Sequence, residues 1–341
     1  MLVCTRASPR QGRGEALHTR RVFAALVALA ALLFLAGLAV GPAGFRNPLD
    51  PGSWDLVLRL RLLRGLLALG VGAALGAAGA FMQYSVSNPL ASPSILGVSP
   101  GALAASVLVM LAWRGSPPLG APLLAGMLGG FAAYAASAAL AARLGFTRVG
   151  LVLAGVAVSS TLSGLSSLLV LLAEARLRLP ASLMLLGSFA YATPETVYVA
   201  LASSGAGLVA GLALARGLDA ISYGDETASA MGYSPGQIRL AASLTSAALT
   251  SVCVYAAGIV GFVGLVAPNT ARLLVGGHPR ASLPASLLLG AATTLAADLA
   301  GRLTALALGL GEVPAGLVTS AVGGLFLAYM LLRGAAGGEE Q

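Results

Sequence analysis

The amino-acid sequence predicts an all-α protein that crosses a membrane about ten times. Of its 341 residues, 57% are hydrophobic and only 9% are charged, and the mean hydropathy is +0.89. The charges leave uncharged stretches of roughly 20 residues, the length at which a helix crosses the hydrocarbon core. The spans are expected near residues 22–40, 64–83, 95–113, 118–142, 149–172, 194–214, 238–256, 258–275, 283–302 and 314–332. They form a single membrane domain at 22–333 between polar tails at 1–21 and 334–341.

The arginine distribution predicts how these spans are oriented. The net charge is +8 and every basic residue is Arg, a balance that on so apolar a chain indicates membrane topology rather than nucleic acid binding. The first span follows Arg20 and Arg21 and is expected to be retained, since no signal-peptide cleavage site precedes the next polar segment. Both termini are then cytoplasmic, as are the loops near 84–94, 143–148, 215–237 and 276–282. Cytoplasmic loops usually carry the excess of arginine, and the exception here is a cluster on the outer side, Arg59, Arg61 and Arg64.

Several classes of function lack the residues that they need. A P-loop NTPase holds its phosphates with the lysine of GxxxxGK[ST], and this chain contains no lysine. The two cysteines, Cys4 and Cys253, and the two histidines, His18 and His278, have no metal-ligand spacing. No nucleophile and base stand in a recognisable pattern. We therefore expect no catalytic residue, cofactor or metal in this chain, and any ATP-driven motor must be another polypeptide.

The longest polar interval is 216–239, with the sequence RGLDAISYGDETASAMGYSPGQIR. It is too polar to cross the bilayer, and Gly232 and Pro235 break it into one or two short helices. A short helix held on the cytoplasmic face is a shape that a partner subunit can grip. An ordinary solvated loop is the alternative.

The stretch 79–101 connects the second and third spans through two prolines and several polar residues. Pro89 and Pro93 prevent a continuous helix, so a turn is fixed at membrane depth. Broken segments of this kind are tolerated in membranes mainly beside cavities, and this favours a position next to a pathway.

The stretch 258–280 is apolar enough to enter the membrane but is not a simple lipid-facing helix. Pro268 and Asn269 are expected to break it in the middle, and it also carries Arg272. Both the interrupted backbone and the guanidinium group need polar partners. This segment is therefore predicted to face protein or a pathway.

Two acidic residues, Asp298 and Glu312, lie nearest to the interiors of spans and are candidates for proton coupling. Asp298 precedes Arg302 by four residues, a spacing that favours an ion pair on one helix face. Glu312 lies at the outer start of the last span, before Pro314. We therefore favour structural pairing for both acids, with a proton-coupled secondary transporter as the alternative.

Four blocks of sequence resemble the permease subunits of ABC importers for iron-siderophores, haem and cobalamin, known as the FecCD family. They are Arg61-x-x-Arg64 with GAALGAAGAFMQ and NPLASPSILGVSPGA, LVLAGVAVS at 151–159, GIVGFVGLVAPNTARLLVGGHPR with LPASLLLGA at 283–291, and Asp298-x-x-x-Arg302 with GEVPAGLVTSAVGGLFLAYMLLR at 311–333. The resemblance covers nearly the whole chain beyond residue 56. Its structural motif residues are Gly264, Pro268, Asn269, Arg272, Asp298, Glu312 and Pro314.

The resemblance implies the type II importer fold of cobalamin permeases, with about ten spans per subunit, in the plasma membrane. It implies a homodimer that encloses a central pathway, two cytoplasmic ABC ATPase subunits that bind ATP and Mg, and an extracytoplasmic substrate-binding protein. The expected function is uptake of a metal chelate by alternating access. An iron-siderophore is the leading candidate, and haem and cobalamin are the others.

The resemblance also implies roles for individual residues. Docking of the binding protein is expected at Arg61, Arg64 and Arg302, since an arginine fork can hold a carboxylate with two hydrogen bonds, and anchoring to lipid headgroups is the alternative. Coupling to the ATPase is expected at Asp225, Glu226, Ala228 and Gly232, and a cytoplasmic gate at Asn88, Pro89, Leu90 and Thr147. The chain departs from the family at Asn269, where the usual pattern has His, and Asn cannot become cationic near neutral pH.

Overall fold

A computed structural model describes residues 9–41, 44–45, 56–145, 148–178 and 180–338. Thr147, one of the predicted gate residues, lies outside these ranges. The helices are α1 (Pro9–Ala39), α2 (Leu56–Ser85), α3 (Val98–Ala112), α4 (Ala121–Arg143), α5 (Arg148–Leu177), α6 (Ser182–Leu186), α7 (Pro194–Ser222), α8 (Asp225–Ala230), α9 (Pro235–Ala257), α10 (Val263–Val275), α11 (Pro279–Leu308) and α12 (Ala315–Gly338). Two short antiparallel strands, β1 (Val40–Gly41) and β2 (Gly44–Phe45), follow α1.

The ten predicted spans correspond to ten apolar helices in the described part of the chain. Seven of them, α1, α2, α4, α5, α7, α9 and α11, are long and apolar enough to cross a membrane. The other three, α3, α10 and α12, contain shorter apolar helices. Most helices extend beyond the predicted spans, because polar residues at a helix end can continue the helix outside the hydrocarbon. The all-α, polytopic fold class is confirmed.

The second helix, α2, is the centre of the bundle. Of its most apolar 18-residue window, 89% is buried, compared with 11% for α1 and 17% for α5. It contacts α1, α7, α9, α10 and α11. Gly72 and Gly76 face Gly290 of α11, and Gly79 faces Gly264 of α10, across gaps that leave no room for a side chain. Close backbone approach through glycine is the usual way in which helices pack tightly in lipid.

The prediction that the stretch 258–280 breaks at Pro268 and Asn269 is wrong. Both residues lie inside α10, and the chain is unwound earlier, between Gly258 (φ 76°) and Phe262 (φ 63°). Pro268 is in the second turn of the helix, where its missing N–H removes a single hydrogen bond, the one to the carbonyl of Gly264. The helix therefore continues through the proline.

The unwound residues 258–262 find hydrogen-bond partners in another irregular segment, around α6. The N–H of Ile259 donates to the carbonyl of Met184 at 2.8 Å, and the N–H of Ser188 donates to the carbonyl of Ala257 at 2.9 Å. Non-helical backbone at membrane depth is stable only when protein or water satisfies its polar groups. Here the two irregular segments satisfy one another.

The polar interval 216–239 is more helical than predicted. The last turns of α7 continue to Ser222, and α9 already begins at Pro235. Between them lies the short helix α8, so the prediction of short helices broken around Gly232 and Pro235 is confirmed. The connection that a partner can contact is therefore residues 223–234.

Candidate functional site

Polar side chains gather at both ends of the buried helices. We call these the outer cluster and the inner cluster, following the orientation that the arginine distribution predicts. The outer cluster is centred on Asp298 of α11, which is 2% exposed. One carboxylate oxygen accepts from Nε and Nη2 of Arg64, both at 2.8 Å, and the other accepts from Nη2 of Arg302. The predicted ion pair between Asp298 and Arg302 is confirmed.

Glu312 extends the outer cluster toward α12. Its carboxylate lies 3.3 Å from Nη2 of Arg64 and accepts a hydrogen bond from the hydroxyl of Ser188 at 2.6 Å. Two acidic residues thus face Arg64, whose side chain is 10% exposed. Buried charges persist in proteins when they are paired in this way. The structural pairing predicted for Asp298 and Glu312 agrees with these contacts.

Two arginines of the outer cluster cap the end of α1. The last carbonyl groups of a helix have no partner within it, and the helix dipole makes this end negative. Arg61 and Arg302 approach this end from α2 and α11. Their guanidinium groups donate to the carbonyl oxygens of Gly37, Leu38, Ala39 and Val40 at 2.6–3.0 Å, and Arg61 also donates to that of Gly44.

The docking role predicted for Arg61, Arg64 and Arg302 stays a prediction, and in this conformation the three side chains are buried. Their exposed fractions are 6%, 9% and 2%, and their guanidinium groups are bonded within the chain. In this conformation the three arginines join α1, α2 and α11. Exposed arginines at the same end are Arg59, Arg114, Arg176 and Arg178.

At the opposite end, the turn between α2 and α3 is part of the inner cluster. The side-chain oxygen of Asn88 accepts from the N–H of Leu90 at 2.9 Å, which closes a local turn around Pro89. The carbonyl of Asn88 accepts from the N–H of Ala91 at 3.1 Å. The predicted turn is therefore present, and its own side chain fixes its shape.

Asn269 ties this turn to α10. Its Nδ2 donates to the carbonyl of Pro89 at 2.9 Å and to that of Leu265 at 2.8 Å, and its Oδ1 accepts from Arg272 at 2.7 Å. Arg272 also donates to Oε1 of Gln83 on α2. Hydrogen bonding therefore links the turn, α10 and α2 without the titrating histidine of the family pattern. The residues 268–272, predicted to face protein, do so.

Tyr84 completes the inner cluster by joining α2 to the start of α11. Its hydroxyl donates to the carbonyl of Gly277 at 2.7 Å and lies 2.5 Å from the hydroxyl of Ser282. The guanidinium carbon of Arg272 lies 5.9 Å from the centre of the Tyr84 ring, within range of a cation–π interaction. No motif or spacing in the sequence singles out Tyr84.

The short helix α8 has the features predicted for a coupling element. Ala228 is fully buried among residues of α2, α7 and α9, whereas Asp225 and Glu226 are exposed in its first turn. Gly232, with φ 83°, ends the helix: its N–H donates to Ser229 and the N–H of the next residue donates to Ala228, both at 3.0 Å. This is a Schellman motif, which the left-handed conformation of glycine permits.

A buried central helix with apolar helices around it is the architecture of a polytopic membrane protein. The chain belongs to the FecCD transport family, whose sequence profile matches residues 21–333. This is a family of ABC transporter permease subunits, multi-pass proteins of the inner membrane that are not themselves enzymes. The resemblance noted in the sequence is thereby confirmed.

Three curated relatives are similar over most of this chain. The hemin transport system permease protein HmuU of Yersinia pestis is 35% identical and covers 83% of this chain and 85% of its own length. The Fe(3+) dicitrate transport system permease protein FecD of Escherichia coli is 37% identical, with 82% and 85% covered. The cobalamin import system permease protein BtuC of Halobacterium salinarum is 34% identical, with 81% and 73% covered.

Solved structures agree with this fold. A metal-chelate type ABC transporter in an inward-facing conformation superposes with a TM-score of 0.75 at 26% identity, covering 92% of this chain and 99% of its own. PsaBC from Streptococcus pneumoniae has a TM-score of 0.57 at 15% identity and shows the fold alone.

Proposed function

We propose that this chain is the permease subunit of an ABC importer that takes up a metal chelate by alternating access. In this proposal two copies enclose the pathway, two cytoplasmic ATPase subunits bind ATP and Mg, and an extracytoplasmic protein delivers the substrate. The observation that carries the proposal is α8, a short helix between two membrane-spanning helices that is held by the buried side chain of Ala228.

The geometry of α8 suits a lever that a motor subunit can move. Ala228 anchors it in the bundle, the glycine at residue 232 stops it, and Glu226 is exposed where a partner can contact it. Because α8 is connected to α7 and α9 by only a few residues, a displacement of α8 acts on both helices. Rigid packed helices pass such displacements on as two-state rearrangements.

The relatives indicate the class of substrate. Their names assign them hemin, ferric dicitrate and cobalamin, each a metal held by an organic ligand. Two of these three substrates carry iron, and this favours an iron chelate. An iron-siderophore therefore remains the leading candidate for this chain, with haem and cobalamin next.

The proton-coupled alternative has less support. A proton site must exchange protons with a pathway, but the carboxylate of Asp298 is buried and both its oxygens are bonded to arginines. Glu312 is the more exposed acid, yet it is engaged by Arg64 and Ser188.

The test is uptake by the complex reconstituted in proteoliposomes with its ATPase and binding protein. Ferric siderophore, hemin and cobalamin are each supplied on the binding-protein side, with and without ATP on the other side. We expect ATP-dependent accumulation of one of them, abolished by an ATPase variant that cannot hydrolyse ATP. Uptake that persists without ATP and follows an imposed proton gradient would overturn the proposal.

A further inference from the structure

A cavity of about 730 Å³ lies beside α8 and the turn that follows α2. Its lining includes Gly224 and Asp225 at the start of α8 and the segment 85–87 at the end of α2. α8 packs mainly on α7 and α9, so a side chain that reaches the turn is needed to connect the two.

Arg239 of α9 bridges this cavity. Its Nη2 contacts the carboxylate of Asp225 at 2.8 Å, and its Nη1 donates to the carbonyl of Ser85 and to the hydroxyl of Ser87, the latter at 3.1 Å. The carbonyl of Ser85 is the last of α2, an acceptor for which the helix itself has no donor. One planar guanidinium group thus holds the start of α8 and the end of α2 together.

We propose that Arg239 is a positioning residue that transmits the movement of α8 to the turn at residues 86–90. This inference rests on the proposed function, because it assumes that an ATPase moves α8. The turn is held on its other side by Asn269, so it lies between two attachments, one to α8 and one to α10. Movement of α8 relative to α10 then deforms the turn or shifts it.

The chemistry of Arg239 suits this role better than a purely stabilising one. Its side chain is 29% exposed and that of Asp225 is 60% exposed, and ion pairs at this exposure add little to folding stability. Their geometry is nevertheless specific, since the rigid fork of arginine fixes the direction of each hydrogen bond. Lysine could keep the charge but could not hold both partners at the same angles.

The test compares Arg239→Gln, Arg239→Lys and Asp225→Asn with Arg216→Gln in the reconstituted complex. Arg216 is an exposed arginine near the end of α7 that leads to α8. Its substitution by Gln removes the same charge as Arg239→Gln. Two quantities are measured: substrate transported per ATP hydrolysed, and the maleimide labelling rate of Leu90→Cys with and without vanadate-trapped nucleotide. Cys4→Ser removes the other cysteine that could react, since Cys253 is buried.

We expect the complex that carries Arg239→Gln to hydrolyse ATP still. The amount of substrate transported per ATP hydrolysed should fall by about fivefold or more, the lower end of typical coupling effects. The nucleotide-dependent change in labelling should disappear in Arg239→Gln and shrink in Arg239→Lys and Asp225→Asn. Arg216→Gln should behave as the unsubstituted chain. An unchanged ratio and an unchanged labelling response in Arg239→Gln would overturn the inference.

Failure of the inference is distinguishable from failure of the proposed function. If the unsubstituted complex shows no ATP-dependent uptake, the proposed function fails and the inference falls with it. If that complex transports and Arg239→Gln transports equally well, only the inference fails. Equal melting temperatures for Arg239→Gln and Arg216→Gln are expected, and a loss of transport explained entirely by unfolding of Arg239→Gln would count against a positioning role.

Discussion

Substitution of Asp298 by Asn keeps the shape of the side chain but removes its charge. The guanidinium groups of Arg64 and Arg302 then remain buried without the carboxylate that lies between them. Removal of one partner of a buried ion pair costs about 3–5 kcal/mol. Arg64 keeps Glu312 at 3.3 Å and Arg302 keeps its carbonyl partners, so we expect the lower end, ~3 kcal/mol.

The assay is the apparent melting temperature of the detergent-solubilised protein at one fixed scan rate, because unfolding of such proteins is often irreversible. A loss of ~3 kcal/mol corresponds to a fall of about 5 °C. The matched control is Glu312→Gln. The side chain of Glu312 is 23% exposed, and we expect its loss to cost about 1 kcal/mol or less. A fall for Asp298→Asn no larger than that for Glu312→Gln would refute the account of the outer cluster.

Three further substitutions test the packing, the turn and α8. Gly79→Leu should prevent α2 from approaching Gly264 and abolish monodisperse protein in detergent, whereas a normal yield would contradict the close approach. Asn269→Leu should destabilise the protein by about 1–3 kcal/mol, since the carbonyl of Pro89 loses its donor. An unchanged melting temperature would show that this hydrogen bond is dispensable. Gly232→Ala should cost ~1 kcal/mol because its φ is 83°, and Gly232→Asn should cost less. Equal melting temperatures for the two would argue against a strained left-handed residue.

Features of this structure that depend on neighbours in sequence could be predicted. Uncharged stretches gave the ten helices, and the four-residue spacing gave the pair of Asp298 with Arg302, because both follow from the geometry of a single helix. The glycine stop of α8 at Gly232 is equally local.

Features that depend on distant partners could not be predicted. Arg64 is buried against Asp298, which lies 234 residues further along the chain. No residue close to Arg64 in the sequence indicates that contact. The sequence around Arg239 likewise does not indicate its contacts with Ser85 and Asp225, because Ser85 is distant along the chain. Pro268 led to a wrong prediction of a break in the helix. A proline early in a helix removes one hydrogen bond and need not end the helix.

The arginines that cap α1 connect it firmly to two other helices. α1 buries little of its own apolar surface, yet its end is fastened by Arg61 of α2 and Arg302 of α11. In the proposed transport cycle these contacts would hold α1, α2 and α11 together as one group. α3, α4 and α5 pack among themselves, and α3 and α4 contact α9, so in the proposed cycle a relative movement of the two groups would fall at the contacts with α9.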